Sequence, residues 1–441
     1  MKMKKLLFLA ALGLMATATF TSCEDILGHW ERPTGAVNSY LTLDKSAVTL
    51  PPGATAKLTS NTISDGSQTW STSDASIVTV DNAGNITAVK SGDATITVKV
   101  ASTANYNADN ASCAVKVRVQ DFDQMKAELE NGTGEVKVYL DAAANIEMGE
   151  DLDITGKKVS IIGDKANPAA MVVTKQFTFD NDFTIQNVIL DFTNQTNDFL
   201  KFTGEAEEVT KIEGVVIDNV QAIGMKKCLF NMNGKTNYLM NNFTINNSII
   251  EMAANQPIVN FRSSGCAYNI NFLNSTIYTL LPESSAKSAL PFTSQAGKRI
   301  TELDANGIQT FNLINSTFYN LSKSANFGLS PNFFTHRQNS QTWLVYNVQN
   351  NIFVDCGKEG ETVVGINQGS ASTNPTWNVS GNVFNYNGVD KSEAEVAKAG
   401  NDANSNAIVQ NSIAVVVNFK DVNMADFTQS DAAAGDPRWI K

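Results

Sequence analysis

The sequence contains a degenerate internal repeat between residues 183 and 386, and this repeat limits most strongly how the chain can fold. Its clearest copy is residues 311–321, which read F-N-L-I-N-S-T-F-Y-N-L. The consensus is an apolar residue, a variable residue, an Asn, two further residues, and then Ile, Leu or Phe. The Asn, which we use as the marker of each copy, falls 27 to 41 residues after the previous one. The marker positions are Asn187, Asn219, Asn247, Asn274, Asn315, Asn350 and Gly381.

Strand-like segments fill these intervals with nothing helical between them, which argues against a barrel or a doubly wound α/β fold. A solenoid whose coils add strands to parallel sheets, stacked about 4.8 Å apart, fits both observations. Because Asn tolerates left-handed backbone conformations and its amides can bond from coil to coil, we expect an Asn ladder at one corner. Residues 120–441 resemble the right-handed, single-stranded parallel β-helix of the pectin-lyase-like superfamily, which implies an all-β fold.

Residues 38–119 have a different pattern of short alternating strands separated by Gly, Asn and Asp turns, which is typical of a β-sandwich. Residues 70–98 read W-S-T-S-D-A-S-I-V-T-V-D-N-A-G-N-I-T-A-V-K-S-G-D-A-T-I-T-V. This segment resembles a bacterial Ig-like domain of group 2. Its charges balance and no site is apparent, so we expect a spacer or an adhesive module.

A short amphipathic helix is predicted between the two regions. Phe122, Met125 and Leu129 recur at helical spacing, and Gly132 ends the pattern. Because a parallel β-helix ends in an open stack of unpaired backbone, we expect this helix to cover its N-terminal end.

The first residues have the pattern of an export signal. A basic start, an apolar run from Leu6 to Met15 and small residues before Cys23 predict a signal peptide over residues 1–22. This arrangement resembles the lipobox of bacterial lipoproteins, which implies lipidation of Cys23. The acidic pair after it resembles the surface-export signal of outer-membrane lipoproteins. We therefore expect a tether over residues 23–37 and a protein that contacts the outer membrane only through its lipid and faces the cell exterior.

Charge and cysteine content limit the partners. Removing residues 1–22 removes Lys2, Lys4 and Lys5 and changes the net charge from −11 to −14. A chain this acidic is not a general nucleic-acid binder, and it weakly disfavours polyanions. Four further cysteines could pair in three ways, but their strand-like surroundings favour buried free thiols. They are Cys113, Cys228, Cys266 and Cys356.

The catalytic motifs of pectin-hydrolysing and pectate-cleaving β-helix enzymes are absent from the sequence. His336 and Arg337, combined with Arg262, are weak candidates for a proton-abstracting site. No cofactor is expected, with Ca²⁺ as the one alternative. Paired acids could hold it or could simply face water; the pairs are Asp180 with Asp182 and Asp191 with Asp198.

Aromatic side chains suggest sugar binding, since sugar rings stack on flat aromatic faces. Tyr278 and Tyr319 occupy almost the same repeat position, immediately after an apolar residue, so both are predicted to point outward on consecutive copies. Trp343 and Tyr346 are further candidate ligand-binding residues.

The final G-D-P-R-W segment resembles the end of uncharacterised β-helix lipoproteins encoded beside polysaccharide-uptake genes, and we interpret Arg438 and Trp439 as sealing the last coil. The resemblance implies a surface protein that binds a polysaccharide, with an outer-membrane glycan-uptake complex as a partner. One alternative is a polysaccharide lyase or glycosidase acting on an acidic glycan, and a second is a structural or adhesive protein. The sequence does not identify the glycan.

Overall fold

The computed structural model describes residues 35–142, 144–232, 237–261, 266–286, 289, 292–294, 300–323, 334–336, 343–357, 366–368, 376–390 and 412–441. Over these residues the chain forms an N-terminal β-sandwich, a short helix and a long parallel β-helix, which confirms the predicted all-β fold. No helix in this described part is long and apolar enough to cross a membrane. Cys23 lies outside the described residues.

The N-terminal domain consists of nine short strands. They are β1 (Thr42–Leu43), β2 (Ala47–Leu50), β3 (Thr55–Lys57), β4 (Ser60–Asn61), β5 (Gln68–Thr72), β6 (Val78–Val80), β7 (Asn85–Ala88), β8 (Gly92–Val100) and β9 (Asp109–Val117). A four-stranded sheet in the order β2-β9-β8-β5 and a three-stranded sheet in the order β3-β7-β6 enclose the core. Ile86, Ile96 and Val115 are buried in this core, and Trp70 packs against it.

The connecting helix α1 spans Phe122–Asn131. The side chain of Asp121 accepts the backbone N–H of Gln124 at 2.9 Å and caps the first turn. Met125 and Leu129 are fully buried in the core of the β-helix, and Phe122 packs against that core. The predicted lid is therefore confirmed.

The β-helix contains strands β10 to β34. They are β10 (Glu135–Tyr139), β11 (Asn145–Glu147), β12 (Leu152–Asp153), β13 (Lys158–Ile162), β14 (Ala169–Val172), β15 (Phe177–Phe179), β16 (Phe183–Asp191), β17 (Leu200–Phe202), β18 (Thr210–Met225), β19 (Phe230–Met232), β20 (Tyr238–Asn246), β21 (Ile249–Met252), β22 (Val259–Asn260), β23 (Cys266–Leu273), β24 (Thr276–Tyr278), β25 (Phe292–Ser294), β26 (Gln309–Ile314), β27 (Thr317–Tyr319), β28 (Phe334–His336), β29 (Leu344–Gln349), β30 (Ile352–Val354), β31 (Ile366–Gln368), β32 (Thr376–Ser380), β33 (Val383–Tyr386) and β34 (Val389–Asp390). A second short helix, α2, spans Ile300–Leu303.

These strands form three faces. Face 1 runs through β10, β13, β16, β18, β20, β23, β26, β29 and β32, so nine coils can be followed through the described residues. Face 2 contains β11, β14, β21, β24, β27, β30 and β33, together with the C-terminal halves of β16 and β18. Because those two long strands continue around the corner, faces 1 and 2 are hydrogen-bonded as one sheet. Face 3 has the order β12-β15-β17-β19-β22-β25-β28-β31.

The marker Asn residues occupy the corner between faces 1 and 2. All six have a left-handed backbone, with φ between 47° and 57°, and Gly381 has φ of 67°. Their amides form part of the predicted ladder: Asn219 donates to Asn187 at 2.9 Å, and Asn315 donates to Asn274 at 3.1 Å. Between these rungs, Asn247 bonds instead to Asp218 at 3.3 Å.

The residue after each of the last five markers supplies a second, buried column. Ser248, Ser275, Ser316, Asn351 and Asn382 are fully buried. Each side-chain oxygen accepts the backbone N–H at the same position of the preceding coil, as in the 2.9 Å bond from Ser316 N–H to Asn351 Oδ1. A left-handed corner breaks the regular ladder here, so a buried N–H needs another acceptor. The Asn-Ser pairs of the repeat carried this signal, although the sequence reasoning did not use it.

Aromatic rings stack from coil to coil inside the solenoid. Phe318, Phe353 and Phe384 are parallel to within 10°, with centroids 4.9 to 5.0 Å apart. This spacing is close to that of the strands, so in these three successive coils the inward ring of one lies on the ring of the next. The four described cysteines are buried free thiols, as expected, and burial raises the pKa of Cys266 and of Cys356 to about 12.

The two domains are joined by direct contacts. The backbone of Val119 bonds to Tyr139 and Asp141 at 2.8 Å each, which places the end of the sandwich on the free edge of β10. The Glu128 carboxylate accepts both the N–H and the hydroxyl of Ser91 at 2.6 Å. That hydroxyl also accepts the N–H of Tyr139 at 2.9 Å. The sandwich and α1 therefore cover the first coil together.

Asn315→Ala should lower the free energy of unfolding by about 1–3 kcal/mol, because Ala is strained at a left-handed φ and lacks the amide of the ladder. Asn315→Gly should cost less, since Gly relieves the strain. Chemical denaturation measures both. The exposed Asn194→Ala is the control, and equal stabilities of the Ala and Gly variants would contradict a strained corner.

Burial raises the pKa of Glu128, against the hydrogen bonds from Ser91 that lower it. The folded state therefore binds this proton more readily than the unfolded state, so this contribution to stability is present at acid pH and is lost as pH rises through the folded pKa. As the pH falls from 7.5 to 4.5, the wild type should gain stability relative to Glu128→Gln, which chemical denaturation measures. Ala127→Ser, which changes no ionisable group at an exposed position of the same helix, should show no such trend. A pH-independent difference for Glu128→Gln would refute the shift.

Candidate functional site

The outer side of face 1 carries a continuous column of mostly polar side chains. Strand register aligns one outward residue from each of the nine coils, and in the later seven it lies three positions before the marker. The column is Lys137, Ser160, Thr184, Val216, Thr244, Asn271, Asn312, Asn347 and Asn378. These residues face outward because the strand period of two directs their neighbours inward.

The second half of the column is an amide ladder. Asn312 donates to Asn271 at 2.7 Å, Asn347 donates to Asn312 at 2.6 Å, and Asn378 donates to Asn347 at 2.8 Å. An Asn amide has two N–H donors and an oxygen with two acceptor positions. The ladder itself uses one donor and one acceptor position of Asn312 and of Asn347, so each amide retains capacity for a bound ligand or for water.

A cavity of about 430 Å³ lies over the first half of face 1. Five successive coils line it, which corresponds to a length of roughly 19 Å for four strand intervals. The lining residues are Glu135, Lys158, Val159, Ser160, Asp182, Thr184, Glu213, Gly214, Val216 and Asn242. Gly214 has φ of 116°, and a Cβ there would overlap the carbonyl oxygen of Asn242, so only Gly fits this position.

A second cavity, of about 310 Å³, adjoins the first and shares Lys158 and Glu213 with it. Tyr238 and Asn241 contribute to its wall. Asn241 donates to the Glu213 carboxylate at 3.0 Å. Together the two cavities form a polar groove along face 1, which we call the face 1 groove.

Charged side chains of both signs line this groove. Lys158 pairs with Asp182 at 2.8 Å, and this hydrogen bond raises the pKa of Lys158. Asp182 also accepts the N–H of Gly214 at 3.0 Å. Across the two cavities, four carboxylates face two ammonium groups, which makes the lining acidic. The carboxylates belong to Glu135, Asp180, Asp182 and Glu213, and the ammonium groups to Lys158 and Lys211.

A cluster of three side chains extends beyond the groove. Lys211 Nζ lies 3.0 Å from the hydroxyl of Tyr268, which donates a short hydrogen bond to Asp304. The hydrogen bond that Tyr268 donates is the main cause of the lowered pKa of Asp304. The bond that its hydroxyl accepts is the main cause of the raised pKa of Lys211. The ammonium group also lies 5.4 Å from the Tyr268 ring centroid. The ring is therefore fixed between two charged groups at the groove margin.

The predicted tyrosine pair has the expected register but not the expected exposure. Tyr278 and Tyr319 are aligned on β24 and β27. Tyr278 is only 5% exposed, because Phe427 packs against both rings, with centroids 5.1 and 5.9 Å away. The expectation of an open aromatic track is therefore corrected: a C-terminal segment, residues 412–441, covers this part of face 2.

Trp343 and Tyr346 are also buried rather than outward-facing. The Tyr346 ring stacks on Phe311 at 5.1 Å inside the solenoid. Its position in the repeat is that of Phe311, the inward apolar residue, and this equivalence explains the correction. Neither side chain presents a ring face to solvent.

The structure describes only some of the remaining candidate residues. Arg262 and Arg337 lie outside the described residues, and His336 is described only as the last backbone position of β28. Among the acid pairs, Asp198 accepts the N–H of Cys228 and the amide of Asn231. The described residues contain no group of three or more His, Cys, Asp or Glu side chains that could hold a metal ion.

The G-D-P-R-W motif does not seal the last coil. It lies on the outside of face 2, where the Gly435 N–H donates to the Asn350 carbonyl oxygen at 2.7 Å. Asp436 is 1% exposed, accepts the Thr276 hydroxyl at 2.8 Å and pairs with Arg438 at 3.0 Å. Trp439 Nε1 donates to the same hydroxyl at 2.7 Å. The motif thus fixes the C-terminal segment across several coils.

Asp436→Ala should release this segment, because Arg438 and Thr276 lose their shared carboxylate in a buried setting. Limited proteolysis followed by mass spectrometry should show cleavage within residues 412–441 at least several-fold faster than in wild type. The exposed Ser430→Ala, in the same segment, is the control. Unchanged cleavage of Asp436→Ala would show that the motif does not hold the segment.

Two family models match parts of the chain. Residues 39–115 match the bacterial Ig-like domain (group 2), and this region contains the N-terminal sandwich except for the last two residues of β9. Residues 144–280 match a domain of unknown function (DUF4957), and this region includes most of the face 1 groove. No curated protein matches the chain. The chain therefore contains a group 2 bacterial Ig-like domain followed by a parallel β-helix that includes a DUF4957 domain.

Proposed function

We propose that this protein is a surface lipoprotein that binds a polysaccharide along the face 1 groove. The main support for this proposal is the groove, whose cavity crosses five coils and lies along the outward polar column of face 1. A polymer with a regular repeat suits a surface that repeats about every 4.8 Å. Hydroxyl groups donate and accept hydrogen bonds, as do the amides, hydroxyls and carboxylates of this surface.

A neutral glycan is favoured over an acidic one. The groove lining contains four carboxylates against two ammonium groups, and the whole chain has a net charge of −11. A polyanion would be repelled by this excess of negative charge. This balance argues against the acidic substrates expected for a lyase, and it supports binding of a hydroxyl-rich, uncharged chain.

The cellular setting is part of the same proposal. Lipidation of Cys23 would anchor the protein in the outer membrane and direct it towards the cell exterior, where it would capture glycan for an uptake complex. The β-helix would belong to the pectin-lyase-like superfamily. Neither Tyr278 nor Tyr346 takes part in the proposed site, because both rings are buried.

Thr184→Trp should weaken binding strongly, because the indole would fill the cavity over face 1. Thr178→Trp is the matched control: Thr178 is an outward, partly buried residue of β15 on face 3. Affinity gels containing xylan, galactomannan or β-glucan, with pectin and alginate for comparison, should retard wild type and Thr178→Trp in a neutral gel. Thr184→Trp should bind at least tenfold more weakly.

Other outcomes would redirect the proposal. Equal retardation of the two Trp variants would place binding elsewhere on the protein. Retardation by pectin or alginate alone, with release of unsaturated uronides, would favour the lyase alternative. No retardation in any gel would favour a structural or adhesive role.

A further inference from the structure

A cavity of about 730 Å³ lies at the junction of the two domains. One wall comes from the Ig-like domain through Pro52, Gly53, Val89 and Lys90. The opposite wall comes from α1 and β10. Ligand sites of this size often occur between domains and combine apolar walls with a few polar groups.

This junction cavity continues the face 1 groove. Glu135 lines both the junction cavity and the groove, and Lys137, the first residue of the outward column, also lines the junction. A chain lying along the groove crosses the strands at right angles and leaves the first coil at β10. There it meets the Ig-like domain, because the other edge of β10 is bonded to Val119 and Ser91.

The wall is held firmly in place. Glu128 and Ser91 connect α1 to the Ig-like domain through two hydrogen bonds of 2.6 Å. Arg118 donates to the carbonyl oxygen of Gly92 at 3.0 Å, and its guanidinium lies 5.2 Å from the Tyr139 ring centroid. Contacts within both domains and across their junction therefore fix the position of Lys90 and Val89 relative to β10.

We propose that the junction cavity is a terminal subsite that takes the end of the polysaccharide chain, and this inference rests on the proposed function. Pro52 and Val89 offer apolar surface to the C–H face of a terminal sugar. Lys90, Asn131 and Thr133 offer donors and acceptors to its hydroxyls. In this proposal the Ig-like domain is a wall of the binding site, and not the spacer or adhesive module that its sequence predicted.

Chain-end recognition predicts that binding follows the number of ends. The neutral glycan that retards the protein is used as a soluble competitor, and its competition is measured before and after limited acid hydrolysis. The glycan is xylan, galactomannan or β-glucan. At equal mass, a hydrolysate with ten times as many ends should compete about tenfold more strongly. Equal competition by mass would overturn the inference.

Two variants test the subsite directly in the full chain. Lys90→Ala and Thr133→Trp, both at exposed positions, should weaken binding of the fragments at least fivefold. Lys99→Ala on the same Ig-like domain and Thr155→Trp in an exposed turn are the matched controls. Fragment binding that is unchanged in Lys90→Ala and Thr133→Trp would overturn the inference.

The two proposals fail in different ways. Loss of binding in Thr184→Trp, with full binding in Lys90→Ala and Thr133→Trp, would keep the groove and reject the terminal subsite. Binding that neither set of variants alters would reject both.

Discussion

The left-handed corner between faces 1 and 2 is the constraint on which the rest of the solenoid depends. Stacked coils must present the same backbone groups every 4.8 Å, so each coil must turn at the same point and in the same way. Asn meets this requirement because it tolerates a positive φ and offers an amide to the neighbouring coil. The buried residue after it accepts the N–H that the turn removes from the ladder.

The fixed corner leaves the rest of each coil free to vary. The interval from Asn274 to Asn315 is 41 residues long and includes α2. The strands that precede and follow α2 on face 1, β23 and β26, nevertheless remain in register. Insertions are therefore accommodated away from the corner, around face 3. Face 1 adjoins the corner directly, which keeps its outward column straight and allows a groove to cross five coils without interruption.

The sequence predicted the local features well because short-range patterns determine them. The left-handed marker Asn, the helix α1 and the buried thiols all depend on nearby residues. Tyr346 was wrongly predicted to bind ligand: it lies four residues before Asn350, as Phe311 lies four residues before Asn315, and this is an inward position of the repeat. The cover over Tyr278 could not be predicted, since Phe427 reaches it from about 150 residues away. The groove depends on the register between coils, which local patterns do not determine. Its signal in the sequence was the mostly polar residue three positions before each marker.

Faces 1 and 2 share every corner but have opposite roles at the C-terminal end. Along the same coils, the outward column of face 2 changes from Thr276 and Thr317 to Ile352 and Val383, and all four side chains are buried. The outward column of face 1 changes in the other direction, to the amide ladder that ends at Asn378. An apolar column favours a covering segment and a polar column favours solvent or a hydrated ligand. The C-terminal segment therefore lies on face 2, and this arrangement leaves the amides of face 1 available to continue the groove beyond its cavities.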